Sequence, residues 1–348
     1  MALSKVNPNF VSQNLGRRNL VINGDMTVAQ RATSATGVGA ANGYYALDRF
    51  GGIVSTTGRL TMSQSTDAPN GFSKSMKLDC TTADASPTAA EYFILQQVIE
   101  AQDIKSMARG TSGAKEVTVS FYVKGTAATY VCEMQDESSR ELDKTFNVTT
   151  AWERVELTFP ADTNVAAATT YDNTAGIYLY FWLQAGTNYK GGTIPTTWAN
   201  QTNTDRTTGI SNFFSSTSNE LYITGVQMEV GDTATDFEHR SYDEELAACQ
   251  RYYTQFDAPG AGSKFGSGWA ASTTVGMLDL GLPVTMRTVP SVTITNCTIW
   301  DSAASYTPTA VIATGGPFPG SQGLQITSSS LTTYRPFSIR SNAAGVTI

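Results

Sequence analysis

The sequence predicts an all-β protein with a β-sandwich, a short linking helix and a second, smaller β-sandwich domain. Two observations support this prediction. Only 15% of the 348 residues are charged, against about 25% in a typical globular protein, so threonine and other uncharged polar residues cover much of the surface. Threonine is β-branched and favours strands. In addition, short apolar runs that alternate with polar residues recur between Gly, Asn and Pro turns.

The clearest predicted strand lies at residues 115–124. Apolar residues occupy every second position there, from Val117 to Val123, which places one face of the strand in a core. Residues 176–184 show the same period of two. Further strands are predicted at residues 20–22, 60–62, 76–78, 92–95, 129–135, 152–159 and 220–229. At least five strands of this kind are typical of a sandwich.

Two helices are predicted among these strands. Residues 96–107 carry apolar residues at loosely helical spacing, while Ser241 and Glu244 form a capping box that starts a helix running to about Gln255. The glycine-rich stretch at residues 260–268 then predicts a hinge. A small β-domain is expected beyond it, with strands at residues 284–286, 292–294, 309–313, 324–327 and 337–339.

Composition argues against several classes of function. The net charge of −7 disfavours nucleic-acid binding. The four cysteines lie far apart and His239 is the only histidine, so no zinc site is expected. No stretch reaches the 18 apolar residues of a membrane span, and the start has no signal-peptide pattern. We therefore expect no membrane insertion, and synthesis in a reducing cytosol with free thiols.

Several motifs resemble tail-fibre and related appendage proteins of tailed bacteriophages. They are NLVINGDMTVAQR at 19–31, YALDRF at 45–50, GVQMEVG at 225–231, FEHRSY at 237–242 and CQRYY at 249–253. The resemblance implies a jelly roll similar to carbohydrate-binding modules, in which the first strand and the VQMEVG strand close the same sandwich. LPVTMR at 282–287 and PSVT at 290–293 are similar to the small β-domain that often follows in such proteins.

The resemblance implies a non-enzymatic virion protein, made in the bacterial host cytoplasm. Its predicted parts are a virion-attachment segment at 1–18, the jelly roll at 19–240, the linking helix at 241–256 and a distal β-domain at 257–348. We expect a homo-oligomer, with a trimer as the favoured state, that binds other virion proteins through residues 1–18 and contacts host surface glycans. Two alternatives stay open: a capsid (head) fibre or decoration protein, and a polysaccharide depolymerase.

A sugar-binding face needs flat aromatic rings with hydrogen-bonding groups beside them. In the strand at residues 176–184, three residues opposite the core positions are aromatic. An alternative interpretation is that this stripe packs against another subunit or within the molecule. The predicted carbohydrate-binding residues are Tyr122, Lys124, Tyr178, Tyr180 and Trp182. Either Tyr122 and Lys124, or alternatively Glu133 and Gln135, are expected on strands that neighbour this face.

The resemblance also implies a structural calcium ion where the first and last strands of the jelly roll meet. Asn23, Asp25 and Glu229 offer oxygen ligands of the kind that calcium prefers. The sequence from Asn23 to Asp25 is more typical of a plain tight turn. No catalytic residue is predicted, because His239 is the only imidazole and no nucleophile elbow, phosphate loop or glycosidase motif is present.

Overall fold

A computed structural model describes residues 17–318 and 321–342. The all-β prediction is confirmed, because the described residues form twenty strands and one α-helix, with short 3-10 helices between strands. The chain divides into two compact units, one reaching Tyr242 and the other starting at Asp243. Apart from Arg17 and Arg18, the predicted attachment segment at 1–18 lies outside the described residues. Within the described part, no helix is both long and apolar enough to span a bilayer.

The first unit is a sandwich of two antiparallel sheets. Strand order is β1-β4-β5-β13-β7-β10 in the six-stranded sheet and β12-β9-β8-β11-β6-β3-β2 in the seven-stranded sheet. The 3-10 helices of this unit are Ala101–Met107, Val165–Ala167, Thr187–Tyr189, Asn203–Asp205 and Phe213–Ser215. The strands are β1 (Ser34–Val38), β2 (Gly43–Tyr44), β3 (Gly51–Ser55), β4 (Arg59–Ser65), β5 (Ser75–Thr82), β6 (Tyr92–Glu100), β7 (Val117–Gly125), β8 (Ala128–Asp136), β9 (Arg140–Val148), β10 (Glu153–Phe159), β11 (Ala175–Ala185), β12 (Ala199–Asn200) and β13 (Glu220–Val230).

The core of the first unit lies between the two sheets. Alternate residues of β11, including Ile177 and Leu179, are fully buried there, as are Val119 and Phe121 of β7. The rings of Phe121 and Phe181 meet edge to face across the sandwich, with centroids 5.2 Å apart. The period-two predictions for both strands are therefore confirmed, since alternate side chains of each strand share one core.

The helix predicted at residues 96–107 is wrong for its first five residues. Strand β6 continues to Glu100 and pairs with β11 on one side and β3 on the other. Only Ala101–Met107 turns into a 3-10 helix. The Gln97 side chain also accepts a hydrogen bond from the Ile22 N–H (2.8 Å) and donates one to its carbonyl (2.9 Å). Hydrogen bonding to β11 and β3 on both edges of β6 stabilises the strand, whereas the loosely helical spacing of its apolar residues is only a weak local preference.

The strand predicted at residues 20–22 is an irregular segment that runs beside β13. The Leu20 N–H donates to the Met228 carbonyl at 2.9 Å. A β-bulge interrupts β13 at Gly225, which has φ +62°, and a Cβ atom there would lie 2.7 Å from the Phe72 ring. The glycine of the GVQMEVG motif thus permits both the bulge and the close approach of that ring.

The second unit begins within helix α1 (Tyr242–Gln250), which ends five residues before the predicted end at Gln255. Its strands all belong to one antiparallel sheet with the order β17-β16-β20-β14-β15-β19-β18. They are β14 (Lys264–Ala270), β15 (Val275–Gly281), β16 (Cys297–Trp300), β17 (Ser305–Tyr306), β18 (Ala310–Phe318), β19 (Ser321–Thr327) and β20 (Pro336–Ser341).

Two predictions for the second unit are wrong. Residues 284–286 and 292–294 form no strand. The predicted hinge at 260–268 contains the first part of β14, which pairs with β15 and β20. A Cβ atom at Gly268 would lie 1.9 Å from the Met277 carbonyl oxygen. Glycine in this stretch therefore allows two backbones to approach closely, which the sequence pattern does not distinguish from flexibility.

Candidate functional site

The outer face of the seven-stranded sheet carries the aromatic stripe predicted on β11. Tyr178, Tyr180 and Trp182 lie on the side opposite the core positions of that strand. The strand register places Tyr180 beside Glu133 of β8 and Trp182 beside Ile94 of β6. The rings of Tyr178 and Tyr180 stack with centroids 5.7 Å apart. Three of the five predicted carbohydrate residues therefore share one face with Glu133.

The connection from β11 to β13 covers much of this stripe. Its residues Tyr189, Ile194 and Ile210 pack against the rings and their apolar neighbours. Trp182 is consequently only 1% exposed and Tyr180 only 6%. Of the two interpretations that the sequence left open, packing within the molecule describes Trp182, because the covering connection removes its ring from solvent.

A pocket of about 270 Å³ lies at the edge of the covered rings. Gln201 links two of its polar residues, accepting a hydrogen bond from Gln135 (3.0 Å) and donating one to Asn203 (3.1 Å). The rings of Tyr92 and Tyr189 meet edge to face with centroids 5.4 Å apart. Aromatic rings, side-chain amides and one guanidinium thus line a single concavity. The lining residues are Ile53, Tyr92, Ile94, Gln135, Tyr180, Trp182, Tyr189, Gln201, Asn203 and Arg206.

A buried ion pair lies beneath the pocket. Trp182 Nε1 donates a hydrogen bond to Glu133 Oε2 at 2.6 Å, and Arg206 Nε donates to the same oxygen at 3.0 Å. The Arg206 guanidinium also stacks over the Trp182 ring, 4.6 Å from its centroid. Burial by itself lowers the pKa of Arg206, but nearby carboxylates, Glu133 foremost, raise it above its usual value. Arg206 therefore stays charged and holds the floor of the pocket in place.

Two more acidic residues, Glu141 and Asp143 of β9, lie beside Glu133, and we name these three residues the triacid cluster. All three are at most 2% exposed. One carboxylate oxygen from each lies within 4.8 Å of the other two. Burial, followed by the charge of Glu133, raises the pKa of Glu141 to about 7 and raises that of Asp143 far above its usual value. Among the residues that the structure describes, no other group of three His, Cys, Asp or Glu side chains lies close enough to share a cation.

Tyr122 and Lys124 do not belong to this face, so the prediction that they extend it is wrong. Their strand β7 lies in the six-stranded sheet, and the side chains occupy the outer face of that layer. Lys124 lies 4.8 Å from the Tyr222 ring centroid and forms an ion pair with Asp67, which also accepts a hydrogen bond from Trp152 Nε1 at 3.0 Å. Alternation assigns a residue to a face but not to a sheet, which is why the sequence merged the two surfaces.

The three predicted calcium ligands have separate protein partners. Asn23 lies in a left-handed turn with φ 60°, and its amide group donates to backbone carbonyls. Asp25 accepts a hydrogen bond from Thr27 Oγ1 at 2.9 Å. Glu229 forms an ion pair with Arg18 Nε at 3.2 Å and accepts hydrogen bonds from the Gln227 side chain and the Thr235 N–H. The turn interpretation thus accounts for the local geometry, and calcium binding there stays a prediction.

Sequence reasoning missed the residues that the covering connection and β9 contribute. Tyr189, Gln201 and Arg206 come from a stretch without strand periodicity, so nothing local relates them to the sheet. Glu141 and Asp143 did carry a signal. They alternate with Leu142 directly after a polar turn, and that alternation predicts a half-buried strand.

Comparisons with known proteins show distant structural similarity. No protein-family model matches the chain, and no curated protein matches it. Similar solved structures include a family 11 carbohydrate-binding module of cellulase Lic26A-Cel5E of Clostridium thermocellum, with 11% identity, a TM-score of 0.28, and 60% of this chain and 98% of that chain covered. The C-terminal family 22 module of Clostridium thermocellum Xyn10B has 13% identity, 53% and 88% coverage and a TM-score of 0.27. An exo-β-agarase has 9% identity, 64% and 26% coverage and a TM-score of 0.32. These TM-scores lie below 0.5, so the similarity does not assign a function.

Proposed function

We propose that the first unit binds a glycan, with a sugar residue seated in the pocket on the outer face of the seven-stranded sheet. The observation that carries the proposal is that aromatic rings and side-chain amide and guanidinium groups line the same pocket, with Tyr92 and Tyr189 as its half-buried rings. A pyranose offers C–H faces to aromatic rings and hydroxyl edges to such polar groups. The pocket volume of about 270 Å³ lies just below the usual range of ligand pockets, which begins at about 300 Å³. That volume suits contact with one sugar residue.

The glycan that this pocket favours is uncharged. Arg206 is the one charged residue among the described residues that line it. Glu133 already neutralises Arg206, because it accepts two hydrogen bonds from the guanidinium group. An anionic sugar would have to compete with a buried carboxylate for that cation, whereas a neutral sugar meets amides and rings without disturbing the ion pair.

The lining supports binding rather than hydrolysis. None of the described lining residues is Asp or Glu. Glu133, beneath the floor, is fully buried and accepts hydrogen bonds from Trp182 and Arg206. Glycoside hydrolysis usually needs two carboxyl groups about 5–10 Å apart on either side of the scissile bond. This pocket therefore suits retention of a sugar.

The sequence resemblance supports a finer proposal, in which the protein is a tail fibre or similar virion appendage of a tailed bacteriophage. A homotrimer, attached to other virion proteins through residues 1–18, would repeat a weak sugar contact and gain avidity. Immunogold labelling of intact particles tests this proposal. Label on the tail supports it, and label on the head favours the capsid decoration role. Release of reducing ends from host polysaccharide would favour a depolymerase.

Glycan binding is tested by affinity electrophoresis against a panel of neutral and anionic polysaccharides. Tyr189→Ala, which removes a half-buried ring from the pocket, should weaken retention about tenfold, equivalent to about 1.4 kcal/mol. Tyr171→Ala is the matched control, because Tyr171 is an exposed ring of the same unit outside the lining. If both variants retain glycans like the wild type, or if no polysaccharide is retained, the pocket is not a sugar site.

A further inference from the structure

The triacid cluster lies on the hairpin of β8 and β9, beneath the proposed sugar pocket. Strand pairing sets Glu133 directly opposite Asp143 and sets Gln135 opposite Glu141. The three carboxyl groups therefore converge on the outer face of two neighbouring strands. Their convergence follows from strand register rather than from flexible loops, so the three oxygens are held close together by the sheet itself.

The charges of the triacid cluster do not balance. Three carboxylates meet one guanidinium, since the ion pairs of this cluster among the described residues reach Arg206 alone. Arg206 gives its hydrogen bonds to Glu133, and it lies 3.3 Å from Glu141 Oε2 without a hydrogen bond. With all three carboxyl groups ionised, two negative charges would be left over in this buried site. Burial of an unpaired carboxylate is strongly unfavourable, so further positive charge must enter the cluster.

Asp143 is the least satisfied member of the cluster. It is 2% exposed, and neither of its carboxylate oxygens has a hydrogen-bond donor. A proton shared with Glu133 would satisfy one of these oxygens and would leave the other, together with Glu141 Oε2, without a partner. A cation between the three groups would contact all of them at once.

We propose that Glu133, Glu141 and Asp143 bind one divalent cation, with Ca²⁺ preferred. An all-carboxylate ligand set suits a hard cation. The two positive charges of the ion would offset the two negative charges that remain after Arg206 when all three carboxyl groups are ionised. Calcium lies about 2.3–2.6 Å from its ligand oxygens, so two oxygens on one ion stand at most about 5 Å apart, against about 4.2 Å for Mg²⁺. The oxygens of the cluster lie within 4.8 Å of one another, inside the span that calcium can bridge. This proposal does not depend on glycan binding.

The first experiment measures melting of the full-length protein, treated with EDTA, dialysed, and then supplied with CaCl₂ or MgCl₂ at pH 7.5. Saturating Ca²⁺ should raise the melting temperature by about 5 °C or more, and calorimetric titration should show one tight site in the cluster. Asp143→Asn and Glu141→Gln should abolish this shift. Glu137→Gln should retain it, because Glu137 is an exposed acid in the turn of the same hairpin. Asp25→Asn should also retain it, and that variant separates this site from the other calcium prediction.

A luminescence measurement keeps the proposal testable if the cluster variants do not fold. Trp182 donates a hydrogen bond to Glu133, so Tb³⁺ bound in the cluster should be sensitised by excitation of that indole. Ca²⁺ should displace the signal, and Trp182→Phe should reduce it. The proposal is overturned if the wild type shows neither a Ca²⁺ shift nor Tb³⁺ luminescence, or if Asp25→Asn removes the shift while Asp143→Asn keeps it.

Discussion

Two buried ionic clusters each include residues of the β8–β9 hairpin, and they differ in charge balance. In the first, Arg109 Nη2 lies 3.0 Å from Asp136 and 3.1 Å from Asp162, while Arg140 Nη2 lies 2.9 Å from Asp162. We name these four residues the balanced cluster. The triacid cluster sets three carboxylates against Arg206. A balanced buried network is complete as it stands, whereas an unbalanced one indicates where a ligand would supply the missing charge.

The two clusters also shift carboxyl pKa values in opposite directions. Burial by itself raises the pKa of Asp162, but hydrogen bonds from Arg140 and from the Asn164 N–H lower it below its usual value. In the triacid cluster, burial and neighbouring acids raise the pKa of Glu141 to about 7. Burial is common to both, so the hydrogen bonds and cations around Asp162 and the neighbouring carboxylate beside Glu141 decide which form of each carboxyl group is favoured.

The largest effect is expected from breaking the balanced cluster. Asp162→Asn leaves Arg109 and Arg140 with one buried carboxylate between them, so the free energy of unfolding at pH 7 should fall by about 3–5 kcal/mol. Urea denaturation measures this change, with Glu137→Gln as the exposed control. A loss below 1 kcal/mol would mean that the balanced cluster contributes little to stability.

Trp182→Ala should also be severe, because the indole is 1% exposed and hydrogen-bonds to Glu133. Removal of a buried Trp side chain typically costs about 3–5 kcal/mol. Thermal and urea unfolding measure the loss, and Tyr171→Ala should change stability by less than about 0.5 kcal/mol. A Trp182→Ala protein of wild-type stability would show that the covering connection does not pack on this ring in solution.

The pH dependence of stability should have opposite signs for the two clusters. The lowered pKa of Asp162 stabilises the fold above its unfolded value of about 3.9, and this contribution is lost as the pH falls through the lower folded value. The loss of stability caused by Asp162→Asn should therefore be smaller below about pH 4.

The raised pKa of Glu141 means that calcium-free protein loses stability as the pH rises from about 4.5 to 7. Urea denaturation of wild type and Glu141→Gln at several pH values, with EDTA present, measures this loss. If both proteins lose the same stability as the pH rises, Glu141 is not its cause.

The smallest effect on stability is expected from Asp143→Asn in calcium-free buffer. The substitution replaces a buried carboxyl group whose oxygens have no hydrogen-bond donor, so the free energy of unfolding should change by less than about 1 kcal/mol or should rise. Urea denaturation with EDTA measures it beside Asp162→Asn. Equal, large losses in the two variants would remove the distinction between the clusters.

The strands that were predicted well have one feature in common. Strands β7 and β11 carry a period of two whose apolar face packs into the core, so their residues alone reveal their structure. Strand β9 was not predicted, although Glu141 and Asp143 alternate with Leu142. The burial of these two acids could not be predicted, because a row of acidic residues has the polarity of a solvent-exposed face. The helix predicted from Gln96 failed because pairing on both edges of β6 is not visible in a short window.

The sequence by itself determined the all-β class and the opposite faces of β11, because alternation of side chains is a local property of an extended backbone. Only the tertiary structure decided that Tyr122 and Lys124 lie on the other sheet, that the connection carrying Tyr189 and Arg206 covers the rings, and that three carboxyl groups converge around one guanidinium. Those facts depend on strand order and on contacts between residues distant in the chain. The energies of burial and charge that create the site arise from such contacts, and no local pattern records them.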